Sequence, residues 1–239
     1  LYLPDQKVSV RNNQSGVLFD ANTMAFEATD MPLHQYLHLL RTGANRTPMY
    51  LAQTNLARMV YRPERYVPRL DYLRTADYHL QSNIWVGTPG LATPCHYDFA
   101  HNFYHQIYGH KQITLFAPED AAGLYPNPKI PAISLVDVAA PDLDRFPAFS
   151  RATPIQFVVS PGDSVFIPAG WWHYVASTYD NNISINQWKL IIIIVLSTGT
   201  VALFIYYYGL NQLPASHTTI FELFWPLSAV IIDWVKNGE

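Results

Sequence analysis

The sequence is short of cysteine, of charged residues and of any basic excess. Its 239 residues include one cysteine, Cys95, so no disulfide can form within the chain, and a reducing compartment such as the cytoplasm is predicted. Charged residues make up 14% of the chain and the net charge is −3, which argues against a protein that binds nucleic acid through charge. The length allows one single-core domain with an appendage, but not two full enzyme domains.

The first 189 residues carry short hydrophobic runs that are broken by turn-forming residues, as is typical of strands. Two strands that are not part of a predicted hairpin are expected at 82–87 and 183–188. The spacing of these runs predicts an all-β core of the sandwich or jelly-roll type. Two pairs of runs are predicted to form hairpins: 103–108 with 111–116 around Gly109, and 155–159 with 164–168 around Gly162.

One early segment has the periodicity of a helix instead of a strand. A helix is predicted over residues 31–40, with Asp30 as its N-cap. The apolar residues that share one face of this helix are Leu33, Tyr36, Leu37 and Leu40. We therefore expect helical elements before the β core.

The composition changes near residue 189. Residues 190–210 contain no charged residue, and a helix of that length would span about 31 Å, the thickness of a bilayer core. Lys189 flanks one end, and three tyrosines at 206–208 lie near the other, as in an interfacial belt. We predict that 190–239 is a separate hydrophobic helical tail that attaches the protein to a membrane through 190–210. The alternative is an arm that builds a homodimer.

The residues that carry chemistry are His96-Tyr97-Asp98 and, far downstream, His173. Residues two apart on a strand point to the same face, so His96 and Asp98 can ligate one metal ion, with His173 as the third ligand. Two imidazoles and a carboxylate form the facial triad of non-haem Fe(II) oxygenases, which leaves positions open for 2-oxoglutarate and O₂. The far carboxylate of this dianion needs a buried counter-charge, and Lys111 is the candidate.

Each of these residues also has a plainer interpretation. A His-x-Asp triplet is more often an ordinary surface or core feature, His173 could be a hydrogen-bonded core histidine, and Lys111 could be a solvated strand end. Four further polar residues are predicted to be structural, pocket-lining or turn residues rather than ligands: His101, His105, His110 and Asp163.

Several blocks in a fixed order resemble the JmjC-domain, cupin-like Fe(II)/2-oxoglutarate-dependent hydroxylases. Among the members of this family, the chain resembles an asparaginyl hydroxylase, the arginyl hydroxylases and a tRNA wybutosine hydroxylase. The resemblance covers about residues 30–189 and implies a double-stranded β-helix fold. The blocks that carry it are 93–98, 102–103, 106–111, 115–118, 124–126, 136–137, 141–147 and 161–173.

The resemblance also implies roles for individual residues. It makes His96, Asp98 and His173 the iron ligands and catalytic centre. Ala132 and Ile133 stand where the asparaginyl hydroxylase has an Arg-Gln pair that holds its substrate, so this substrate contact is not kept. The implied cosubstrate-binding residues are Tyr50, Thr93 and Lys111 at the far carboxylate, Asn102 and Asn186 near the metal, and Trp188 in the pocket wall.

Together these features predict a dioxygenase that uses Fe(II), 2-oxoglutarate and O₂ to hydroxylate a side chain of a protein substrate, with succinate and CO₂ as coproducts. One alternative is a JmjC-type methyl-lysine demethylase. Another is a non-catalytic metal-binding cupin module. A cupin of the isomerase or decarboxylase kind would show His-x-His followed by Glu, and Asp98 argues against it.

Overall fold

The computed structural model describes residues 3–12, 15–22, 25–45, 47–65, 81–178 and 180–189. Regular structure in these residues is almost entirely β. The helix α1 spans Leu33–Thr42, and short 3-10 turns span Leu56–Arg58, Pro63–Arg65, Pro118–Leu124 and Pro147–Arg151. In chain order the strands are β1 (Lys7–Asn12), β2 (Glu27–Pro32), β3 (Met49–Asn55), β4 (Gln81–Gly87), β5 (Ala92–Tyr97), β6 (His101–Tyr108), β7 (Lys111–Phe116), β8 (Ile155–Val159), β9 (Ser164–Ile167), β10 (Trp172–Ser177) and β11 (Asn182–Lys189).

The described strands form two antiparallel sheets. The larger sheet has the order β2-β1-β3-β4-β11-β6-β9, and the smaller has the order β5-β10-β7-β8. An apolar layer joins the two sheets, because Tyr104 of β6 and Ile167 of β9 pack in one cluster with Ile113, Leu115 and Val159 of β7 and β8. Two antiparallel sheets around a shared core confirm the predicted all-β class and are consistent with a jelly roll.

Both predicted hairpins are wrong. β6 pairs with β11 and β9, whereas β7 pairs with β10 and β8, so these consecutive strands lie in different sheets. β8 and β9 are likewise divided, since β8 pairs with β7 and β9 pairs with β6. The turn residues were identified correctly. A tight turn at glycine can connect two strands of different sheets as well as two paired strands of a hairpin, so the turn alone does not predict pairing. Each of these turns therefore takes the chain from one sheet to the other.

The turn at Gly109 shows why this crossover requires glycine. Gly109 has a φ of 70°, and a Cβ at this position would collide with the backbone carbonyl of Asn181. The buried Gln106 amide holds the turn by donating to the Gly109 carbonyl at 2.9 Å and to Asn182 Oδ1 at 2.8 Å. Lys111 is the first residue of β7 after this turn and is buried in the domain.

The helix prediction is correct in its buried face and wrong in its start. Leu33, Tyr36 and Leu40 are buried, as the periodicity indicates. Asp30 is not the N-cap, because it belongs to β2 and pairs with Ser9 of β1. Pairing between these two strands keeps the backbone extended through Pro32, which takes the N-cap position without a side-chain hydrogen bond.

The predictions for the tail concern residues that the structure does not describe. Within the described ranges, no helix combines the length and the apolar character that crossing a bilayer needs. The predicted span at 190–210 and the alternative homodimer arm within 190–239 both lie outside those ranges.

Candidate active site

Three potential metal ligands meet where β5 and β10 run side by side. His173 of β10 is the register partner of His96 of β5, and their ring centroids are 4.2 Å apart. Asp98 follows the end of β5, with its carboxylate 4.0 Å from His96 Nε2 and 3.8 Å from His173 Nε2. The three ligand atoms all lie within 4.8 Å of one another, which is close enough to hold one ion. We call these three residues the metal end of the site.

Backbone carbonyls fix the orientation of both imidazoles. His96 Nδ1 is 2.8 Å from the Pro94 carbonyl, and His173 Nδ1 is 3.1 Å from the Trp171 carbonyl. A carbonyl can only accept a hydrogen bond, so each Nδ1 carries the proton and each Nε2 is left as a lone-pair donor for a metal. Burial, together with the nearby His96, lowers the pKa of His173 to about 4, so this ring is neutral at pH 7.

Two asparagines support the carboxylate of the metal end. Asn102 Nδ2 donates to Asp98 Oδ2 at 3.4 Å, and Asn186 Nδ2 donates to Asn102 Oδ1 at 2.9 Å. Asn186 Oδ1 is buried and has no hydrogen-bond partner in the described structure. The donor set of two imidazoles and one carboxylate, with hydrogen-bonding groups that orient these ligands, fits a non-haem Fe(II) ion.

Lys111 is buried, lines the same cavity as the metal end and has no acidic partner among the described residues. Its Nζ donates to Tyr50 Oη at 3.3 Å and to Ser184 Oγ at 3.2 Å. The ammonium also lies 5.5 Å from the centroid of the Tyr50 ring and 5.7 Å from that of Tyr104. No ion pair joins Lys111 to any described carboxylate, and burial lowers its pKa to about 7.

Thr93 completes this part of the cavity by hydrogen bonding to Tyr50, and both side chains are buried. Burial raises the pKa of Tyr50, so the phenol stays protonated at neutral pH. We call Lys111, Tyr50, Thr93 and Ser184 the lysine end of the site. A buried cation surrounded by hydroxyl groups is an arrangement that suits the carboxylate of a ligand.

One cavity of about 370 Å³ is lined by all three residues of the metal end and, from the lysine end, by Lys111, Tyr50 and Thr93. Asn102 and Asn186 line it as well, so all the described side chains among the predicted site residues come together. Trp188 stands opposite Asn102 in the pairing of β11 with β6, and its side chain lies outside the described part of the chain. Ala132 and Ile133, which stand where the asparaginyl hydroxylase has its substrate-holding Arg-Gln pair, also line the cavity.

The other polar residues near the motif take no part in the metal end. His105 Nδ1 is hydrogen bonded to Ser164 Oγ at 2.7 Å, and His101 Nδ1 accepts from the Ala169 amide at 3.1 Å. His110 lies 3.3 Å from Asp180. Asp163 accepts from the Ser160 amide at 2.8 Å, as a turn residue does.

Several residues of the site and of its cavity were missed from the sequence. Ser184 could have been found, because it is two residues before Asn186 on β11 and so shares its face. Arg11, Phe26, Gln53, Trp85 and Phe99 also line the cavity, and no motif in the sequence marks them.

The antiparallel two-sheet fold and the His-Asp-His cluster define a cupin-like protein with a candidate metal centre. A family model described as "Cupin-like domain" matches residues 2–188, and the chain belongs to this family. It is similar to HSPB1-associated protein 1 of Homo sapiens, with 42% identity over 114 residues, which is 45% of this chain and 23% of that protein.

Two further relatives are named for a demethylase and for a JmjC domain. The chain is 42% identical over 108 residues to lysine-specific demethylase 8 of Danio rerio, which is 44% of this chain and 26% of the relative. It is 34% identical over 143 residues to JmjC domain-containing protein D of Dictyostelium discoideum, which is 54% of this chain and 32% of the relative. The matches thus span between about a quarter and a third of these curated relatives.

Proposed function

We propose that this chain is an Fe(II)- and 2-oxoglutarate-dependent dioxygenase domain that hydroxylates a side chain of a protein substrate. The observation that carries the proposal is the pairing of two features in one cavity. At the metal end, His96, Asp98 and His173 present a ligand set for Fe(II). At the lysine end, a buried ammonium has no acidic partner among the described residues and suits the far carboxylate of a dianion.

In this proposal His96, Asp98 and His173 hold the iron, and Lys111 binds the far carboxylate of the cosubstrate with Tyr50 and Thr93. Iron(II) and 2-oxoglutarate would supply O₂ activation, with release of succinate and CO₂ and delivery of one oxygen atom to a substrate C–H bond. Asn102 and Asn186 orient the Asp98 carboxylate. The proposal includes that the two sheets form the double-stranded β-helix that the family resemblance implies.

The proposal is tested by measuring succinate formed from 2-oxoglutarate by the 239-residue chain, loaded with Fe(II) without oxygen and then exposed to air. His96→Ala removes one ligand and should abolish iron-dependent succinate formation. His38→Ala is the matched control, because His38 is an exposed histidine on α1 and lies outside the cavity. Its succinate yield should equal that of the unaltered chain.

A folded chain that binds Fe(II) and forms no succinate would contradict the proposal and favour a non-catalytic metal-binding module. Succinate that persists in His96→Ala would show that the metal end is not the site of the reaction.

A methyl-lysine demethylase is the second candidate, and the similarity to lysine-specific demethylase 8 favours it. The two outcomes differ in product. A demethylated substrate loses a methyl group and releases formaldehyde, whereas a hydroxylated substrate gains one oxygen atom. Mass spectrometry of the substrate with a formaldehyde assay separates the two.

A further inference from the structure

Arg11 is a cation in the cavity wall that the proposed function leaves without a role. It lies on β1 opposite Tyr50 of β3, so the two side chains emerge on the same face of the larger sheet. Arg11 lines the same cavity as the metal and lysine ends and is partly buried. Its guanidinium carbon lies 4.1 Å from the centroid of the Phe26 ring, which covers one face of the group.

No acidic residue neutralises Arg11 in the part of the chain that the structure describes. None of the ion pairs found there includes Arg11. Asp98, at the metal end, is the only acidic residue among the described side chains that line the cavity. A guanidinium keeps its charge in a protein, so this charge is partly desolvated without compensation and favours an anionic partner.

The charges expected when the site holds metal and cosubstrate also indicate an anionic partner for Arg11. This step rests on the proposed function. A divalent metal with the Asp98 carboxylate leaves one positive charge, and a 2-oxoglutarate dianion with the Lys111 ammonium leaves one negative charge. These cancel, because both pairs lie in one cavity. Arg11 then remains as the single uncompensated charge among the described cavity residues, and the substrate is the component still to enter.

We propose that Arg11 is a specificity-determining residue that binds a side-chain carboxylate of an acidic peptide substrate. Phe26 covers one face of the guanidinium and leaves its N–H edge available for a bidentate contact with a carboxylate. Phe26 and Phe99 line the cavity and are both exposed, at 52% and 67%, so they offer an apolar surface to apolar side chains of a peptide.

Gln53 supplies a second polar group in the cavity wall. It lies at a bulge where the register between β3 and β4 shifts, and its φ of 50° is one that residues other than glycine rarely adopt. The exposed Gln53 side chain lines the cavity, so its amide can donate to the same carboxylate or to the peptide backbone.

The test is selection of peptides from a random nonapeptide library by the 239-residue chain loaded with Fe(II) and 2-oxoglutarate without oxygen, so that no turnover consumes the peptide. We expect bound peptides to be enriched in Asp and Glu over Lys and Arg by about tenfold. Arg11→Glu should invert this preference, Arg11→Met should remove it, and Arg11→Lys should restore part of it. Arg11→Met and Arg11→Lys keep the inference testable if Arg11→Glu does not fold.

Arg145→Glu is the matched control, because Arg145 is an exposed arginine that stacks on Phe146 with 4.8 Å to the ring centroid and lies outside the cavity. Its selected peptides should match those of the unaltered chain. A library without enrichment, an enrichment of neutral or basic peptides, or an Arg11→Glu variant with unchanged selectivity would each overturn the inference.

Succinate formation separates this inference from the proposed function. A chain that forms succinate with iron but shows no preference for acidic peptides keeps the proposed function and loses the role of Arg11. A folded, iron-loaded chain that forms no succinate loses the proposed function itself.

Discussion

The metal end and the lysine end of the cavity each contain a charged group, and the two groups are held in different ways. At the metal end, the Asp98 carboxylate accepts a hydrogen bond from Asn102 and lies within 4.0 Å of two imidazole nitrogens. At the lysine end, the Lys111 ammonium meets only hydroxyl groups and aromatic rings among the described residues. The metal end is therefore organised before any ligand arrives, whereas the lysine end needs an anion to balance its charge.

The largest effect expected from this difference is the loss of cosubstrate binding in Lys111→Met. Methionine keeps much of the side-chain volume and removes the charge that would balance the far carboxylate. Removing one partner of a buried ion pair costs about 3–5 kcal/mol, so the affinity for 2-oxoglutarate should fall by more than about a hundredfold. Calorimetric titration of the anaerobic, Fe(II)-loaded chain measures this directly.

Lys129→Met is the matched control, since Lys129 is an exposed lysine outside the cavity. It should bind 2-oxoglutarate as the unaltered chain does. If Lys111→Met binds the cosubstrate normally, the dianion is held by other residues and the lysine end has been misassigned.

The next effect concerns the free energy of unfolding of the ligand-free chain. Lys111 should favour cosubstrate binding but destabilise the fold when no ligand is bound. Burial lowers the pKa of Lys111 from 10.5 in the unfolded chain to about 7 in the folded chain, so between these values the unfolded state binds more protons. Lys111 therefore destabilises the ligand-free fold fully below pH 7 and not at all above pH 10.5. Its contribution should raise the free energy of unfolding by about 2–3 kcal/mol between about pH 7 and about pH 9.

Denaturant titrations of the ligand-free chain at about pH 7 and about pH 9 test this prediction. Lys111→Met should be more stable than the unaltered chain at the lower pH, and the difference should shrink at the higher pH. Lys129→Met should show no such change in the difference. A Lys111→Met variant that is less stable at the lower pH would indicate that the ammonium is already compensated without a ligand.

The two ends also differ in how far the sequence reveals them. His96 and Asp98 are two residues apart, and the choice of two imidazoles and a carboxylate follows from metal chemistry alone. Lys111, Tyr50, Thr93 and Ser184 come from four separate strands of both sheets. Strand pairing brings these four residues together, and the sequence alone does not reveal that pairing, so Ser184 was missed. Tyr50 and Thr93 were predicted from the family resemblance and not from their spacing in the sequence.

Strand pairing is also where the fold prediction failed. The strand segments flanking Gly109 and Gly162 were identified, because local turn chemistry and hydrophobic runs mark them. Their assignment to different sheets is a long-range property: Lys111 of β7 faces Val159 of β8 and Ser177 of β10, not its neighbour β6. Arg11 shows the same limit, since only its pairing with Tyr50 brings it to the cavity.

The smallest predicted effect tests whether the metal end is organised by its surroundings. Asn186 orients the Asn102 amide, which in turn donates to Asp98. Asn186→Ala releases Asn102 and should weaken Fe(II) binding by about tenfold, in the range usual for groups that support metal ligands.

Asn186→Asp should have the larger effect of the two. The ionised carboxylate that it introduces would repel Asn102 Oδ1 and favour turning that oxygen toward Asp98, which would then lose its hydrogen-bond donor. Anaerobic Fe(II) titration measures both variants, with the exposed Asn22→Ala as control. Equal affinities in all of them would mean that the three ligands need no support from this pair, and that the contrast between the two ends rests on the imidazole orientation alone.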